Sequence, residues 1–130
     1  MENMSTKDLF HIGEELAAKY LTGKGYNILC KNFRIKGGEI DIIAIDGETL
    51  VFVEVKTRSW HSMRSALDNI TYTKQVLITR TATEYINRNP EISKLGTRFD
   101  VLILFYSRET NSFGIKHFEN AFLPVFPSEL

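Results

Sequence analysis

Asp41, Glu54 and Lys56 are the residues best suited to chemistry, because each is a charged side chain inside an otherwise apolar, β-branched run. Asp41 lies in G-E-I-D-I-I-A, from Gly38 to Ala44, and the other two lie in V-F-V-E-V-K-T-R, which ends at Arg58. Burying a charge in such a strand is costly unless a partner, a metal ion or a catalytic role offsets it. Alternation puts Glu54 and Lys56 on one strand face, roughly 7 Å apart, in line with Phe52 and Arg58, while Val51, Val53 and Val55 take the other. A hairpin to the preceding strand brings Asp41 beside Glu54, with Glu39 on the Asp41 face. Paired carboxylates repel unless a cation or proton stands between them, so a divalent ion with oxygen ligands, Mg²⁺ or Mn²⁺, suits the pair. Lys56 is then placed to orient or deprotonate a water, or to stabilise charge growing on a phosphate. This is the equipment of metal-dependent phosphodiester hydrolysis. For E-V-K alone an exposed surface ion pair is the simpler account, but Asp41 on the adjoining strand and Phe52 on the same face weigh towards a site.

The elements that must hold these residues follow from periodicity and turn signals. Apolar positions at Leu9, Ile12, Leu16, Ala17, Tyr20 and Leu21 predict a helix from about Thr6 to Leu21, stopped by Gly23 and Gly25. Glu14 falls at one margin of its buried face and Glu15 in the polar gap past the other. Gly13 permits a close approach to the sheet that would carry Glu14 towards the strand carboxylates, although a boundary glutamate reaching water accounts for it equally well. Tyr26–Ile35, Glu39–Ile45 and Leu50–Thr57 read as an antiparallel meander with turns at Lys36-Gly37-Gly38 and Asp46-Gly47. A second helix is expected from about Tyr72 to Asn89, ended by Pro90, with Lys74 and Gln75 in its first turn, where either a bound phosphate or plain solvent suits them. Arg98–Phe105 reads as a buried strand opened by an Arg98–Asp100 structural pair, Ile115–Phe118 as a short last strand, and the tail with Pro124 and Pro127 as irregular. The fold class is α/β, a mixed central sheet flanked by helices.

A chain of 130 residues with 43% hydrophobic content is the size of one domain, residues 1–130. Its one cysteine, Cys30, allows neither an internal disulfide nor a zinc cluster, and the polar start M-E-N-M-S-T-K-D precedes no long apolar run. A cytoplasmic protein without a membrane span is therefore expected. Lys plus Arg equals Asp plus Glu at 16 each, which is not the profile of a protein that coats DNA. Between Val55 and Asp100, however, eight cations face four anions. There Arg58 and Arg64 flank Trp60, a combination suited to phosphates and an exposed base, although a tryptophan also commonly plugs a core. His11, His61 and His117 have no metal-ligand spacing.

Taken together, these motifs resemble the PD-(D/E)xK nuclease superfamily, with its restriction-endonuclease-like fold, and within it the small bacterial YraN-like family. G-E-E-L-A-A-K-Y-L from Gly13, G-Y-N-I-L-C-K-N-F-R from Gly25, G-E-I-D-I-I-A, L-V-F-V-E-V-K-T-R, Lys74 and R-F-D-V from Arg98 carry the resemblance. It implies that Asp41, Glu54 and Lys56 occupy the metal and catalytic positions. It also implies that Glu14 is a secondary metal ligand, as a helix glutamate is in archaeal Holliday-junction resolvases of similar size. Ile40 stands where the superfamily motif has a proline that the chemistry does not need. The Val55 carbonyl would complete the metal shell. The expected function is hydrolysis of phosphodiester bonds in nucleic acid, DNA in repair or recombination, with Arg58, Arg64, Lys74 and Gln75 on the nucleic acid. Two alternatives stand beside it: a Holliday-junction resolvase working as a homodimer, for which Phe122, Leu123, Val125 and Phe126 offer apolar surface, and a non-catalytic binding module on the same fold.

Overall fold

Ser5 opens the first helix: its hydroxyl accepts the Asp8 N–H while the Asp8 carboxylate accepts the Ser5 N–H, a capping box that satisfies donors every helix start leaves unpaired. The computed structural model describes residues 5–60 and 70–127, so Arg64 and His61 lie outside the described residues. Helix α1 (Thr6–Gly23) runs two residues past its expected end. It closes where Gly25 takes φ 93° and the Lys24 and Tyr26 N–H groups bond back to the Leu21 carbonyl.

Five strands follow in chain order, interrupted by one further long helix: β1 (Asn27–Ile35), β2 (Gly38–Asp46), β3 (Thr49–Ser59), α2 (Tyr72–Arg88), β4 (Gly96–Ser107) and β5 (Ser112–Phe122). They form one sheet in the order β1-β2-β3-β4-β5, parallel between β3 and β4 and antiparallel elsewhere. The largest departure from expectation is β5, which extends well beyond Ile115–Phe118. It is an edge strand that mixes polar and apolar, exposed and half-buried residues, so no clean apolar alternation marks it. Its pairing with β4 defines it instead.

Alternation along β3 serves two layers. Val51, Val53 and Val55 pack with Ala17, Ala18 and Leu21 of α1. Phe52 packs with Ile78 and Ala82 of α2 and stacks on Phe99 at 5.6 Å. The two helices thus cover opposite faces of a mixed sheet, which is the α/β, restriction-endonuclease-like architecture.

What positions the site is a fork. The β2–β3 ladder runs from Asp46↔Thr49 to Ile42↔Val53 and stops there. Past that point β2 continues against β1 alone and β3 against β4 alone. Two glycines let the helices close on the opening. A Cβ at Gly13 would overlap Thr57 Oγ1 on β3, and one at Gly38 would overlap Thr81 Oγ1 on α2.

Gly13→Ala should therefore destabilise the protein by about 1–3 kcal/mol through overpacking, despite the gain of about 1 kcal/mol that Ala has over Gly inside a helix. In a Thr57→Ala background, which removes a buried hydroxyl without a hydrogen-bond partner, the same substitution should stabilise. Urea unfolding of the four proteins checks the reversal of sign.

Candidate functional site

Strict alternation breaks at Asp41. Ile40 and Ile43 share the α2-side cluster although they are three positions apart, while Ile42 and Ala44 lie on the α1 side. Across β1, Asn32 adopts φ 53° between the registered pairs Lys31↔Ile42 and Phe33↔Ile40. This local turn sends the Asp41 carboxylate into the fork, where its Oδ2 accepts the Val55 N–H at 2.7 Å. A side chain has taken the place of the missing ladder acceptor. The N–H and C=O of one strand residue face the same neighbour, so the Val55 carbonyl also looks into the opening.

Four carboxylates converge here. Burial, then the charge of Glu54, pushes the Asp41 carboxyl up to about 7, with Glu14 and Glu39 adding to the rise against the Val55 N–H. Glu14, half-buried on α1, is itself raised by burial and by Glu39, although His11, Arg34 and Lys31 oppose the shift. Glu15 is exposed. Glu39 forms an ion pair with Arg34 at 3.2 Å, and Glu54 is held by the Lys74 ammonium at 2.6 Å. Lys74, a candidate phosphate contact, thus stands on a candidate metal ligand. Gln75 donates its amide to the Ile70 carbonyl at 3.0 Å, fixing the chain just before α2.

Lys56 is 3% exposed. Burial, then the charges of Lys74 and Arg58, lowers its pKa against the pull of Glu54, which brings a free amine closer to neutral pH. Arg58 follows on β3 and donates to the Thr57 carbonyl at 2.9 Å.

The donors at the fork are all oxygens: the carboxylates of Asp41, Glu54 and Glu14 and the Val55 carbonyl. That set suits a hard divalent cation, and a carboxyl held near 7 by burial and then by the charge of Glu54 is a group whose repulsion such a cation would relieve. As they stand, no three His, Cys, Asp or Glu side chains among the described residues enclose a metal ion. Lys74 occupies one of the Glu54 oxygens there.

The same sheet holds a second buried aspartate in the opposite condition. Burial alone would raise Asp100, but hydrogen bonds from His117, Arg98 and the Asn120 N–H outweigh it and hold the carboxyl below the usual range. Arg98 meets it twice, at 2.8 and 3.0 Å, and also donates to Tyr26 at 2.7 Å. The expected Arg98–Asp100 pair is therefore present and structural. Its partners His117 and Asn120 come from β5, and nothing in the sequence pattern singled them out.

The family described as "Uncharacterised protein family UPF0102" matches residues 13–104, a span that holds every candidate site residue named here. Among curated relatives, a UPF0102 protein of Alkaliphilus oremlandii is 44% identical over 118 residues, covering 89% of this chain and 98% of that one. One of Chlorobium limicola is 43% identical over 118 residues (85% and 88%), and one of Clostridium botulinum, strain Loch Maree, 42% over 116 residues (89% and 94%).

Because folded Asp41 keeps its proton to about 7 while an unfolded aspartate loses it near its ordinary value of 3.8, the metal-free protein should lose stability as pH rises between those values, by up to about 1.4 kcal/mol per unit. Mn²⁺ must displace that proton, so calorimetry should show tighter binding at pH 8 than at pH 6, and no binding heat from the Asp41→Asn, Glu54→Gln double variant. Glu14→Gln should weaken Mn²⁺ binding severalfold with little change in melting temperature, whereas Glu15→Gln should match wild type in both.

Proposed function

The chain belongs to the UPF0102 family, the YraN-like family its motifs resemble, and from that premise we propose that it is a divalent-metal-dependent nuclease that hydrolyses phosphodiester bonds in DNA, in repair or recombination. The observation that carries the reading is the meeting of Asp41, Glu54 and buried Lys56 where β2 and β3 part. Asp41, Glu54 and the Val55 carbonyl hold the ion, with Glu14 behind them. Mg²⁺ or Mn²⁺ bound there supplies Lewis acidity towards the phosphate. Lys56 orients the attacking water and, with its lowered pKa, shares the proton the water gives up. Arg58 and, once released from Glu54, Lys74 meet the phosphates. The low-dielectric walls at the fork strengthen each of these electrostatic contacts.

One observation favours a second reading. The Lys74 ammonium already neutralises Glu54. A chain in which it stays there would bind nucleic acid without cutting it.

Cleavage of single-stranded, duplex, flap and four-way-junction DNA in Mg²⁺, Mn²⁺ or EDTA separates the two. The nuclease reading predicts cutting that needs the metal and falls at least about 100-fold in Lys56→Met, a variant that keeps the apolar stem in place and should melt within a few degrees of wild type. Metal-independent binding with no cutting of any substrate supports the second reading.

A further inference from the structure

Beyond Lys56, β3 leads to two adjoining hollows of about 270 and 370 Å³ that share Ser59, Tyr106 and Arg108. Both volumes are near the small-ligand range. Phe10, 42% exposed, lines the first, and Trp60, 51% exposed and edge-on to Phe105, lines the second. Tyr106 forms the floor between them, fixed by a hydrogen bond to Asn111 at 3.1 Å and by its contact with Phe113. Arg58 lines the first hollow and Arg108 both, and among the described residues neither is ion-paired. Glu109, at the second hollow, is the one carboxylate lining either hollow among the described residues.

Exposed aromatic residues beside guanidinium groups that form no ion pair among the described residues suit a partner with both a π-face and negative charge. A duplex offers the charge but hides its base faces in the stack. An unpaired nucleotide offers both. Arg58 lies four residues beyond Glu54, roughly 13 Å along the strand, a distance that a few nucleotides of one strand cover. We propose that the cleft formed by Phe10, Trp60, Tyr106, Arg58 and Arg108 binds an unpaired nucleotide of the substrate, so that the preferred substrate carries a single-stranded extension or branch next to the cut. This rests on the nuclease reading and specifies its substrate class.

Trp60 is the chain's only tryptophan, so its fluorescence reports on the cleft. The full chain in EDTA is titrated with oligothymidylate, oligouridylate, a blunt 20-base-pair DNA duplex and the same duplex with a six-nucleotide single-stranded extension. Anisotropy of labelled strands gives each Kd. The proposal expects both single strands or one of them to quench Trp60, and the extension to tighten duplex binding about tenfold, in line with the stacking of one base. Phe10→Ala should abolish that tenfold difference, and Arg108→Gln should reduce it, each with an unchanged melting temperature. Blunt and extended duplexes binding alike, or a difference that Phe10→Ala leaves intact, would overturn the cleft while leaving the nuclease reading standing. No binding to any of the four probes would likewise overturn the cleft.

Discussion

The hydrogen bond from the Val55 N–H to Asp41 Oδ2 is the constraint around which the rest is arranged. Where β2 and β3 separate, β3 presents a backbone donor deep in the protein, and leaving it unpaired would cost about 1–3 kcal/mol. Satisfying it with an aspartate rather than a carbonyl brings a carboxylate into an apolar layer. Every neighbouring feature answers that choice. The break of alternation in β2, the left-handed Asn32 opposite it and the close approaches at Gly13 and Gly38 set the fork's shape, and Glu54, Lys56 and Lys74 set its charge.

The two buried aspartates show what that charge means. Asp100 is surrounded by donors, its pKa falls, and it binds Arg98, β4 and β5 into one unit. Asp41 has Val55 as a donor, but burial and then the charges of Glu54, Glu14 and Glu39 outweigh it, and its pKa rises. The first arrangement is complete in itself. The second leaves carboxylates facing one another, and the Lys74 ammonium on Glu54 offsets part of that charge. Strongly shifted groups gathered in one opening are a mark of functional sites.

Much of this was legible in the sequence because it depends on local pattern. Alternation in V-F-V-E-V-K assigned β3 side chains to the correct layers, the turn residues located the meander, and the helical position of Glu14 set it apart from Glu15. What the sequence hid depends on long-range packing. The length of β5 is set by its pairing with β4, the fork by where the β2–β3 ladder ends, and the bond between Lys74 and Glu54 by the docking of α2 on the sheet. The joining of Phe10 to Tyr106 and Arg108 likewise brings together residues far apart in the chain.

The central claim is that the fork is a divalent-metal site from which Lys74 withdraws. Anomalous diffraction from crystals of the wild-type chain soaked in Mn²⁺ tests it most directly. The account predicts one strong peak within about 2.0–2.6 Å of carboxylate oxygens of both Asp41 and Glu54, with Lys74 Nζ no longer on Glu54. A map with no peak at the fork and the Lys74–Glu54 bond intact at saturating Mn²⁺ would contradict it.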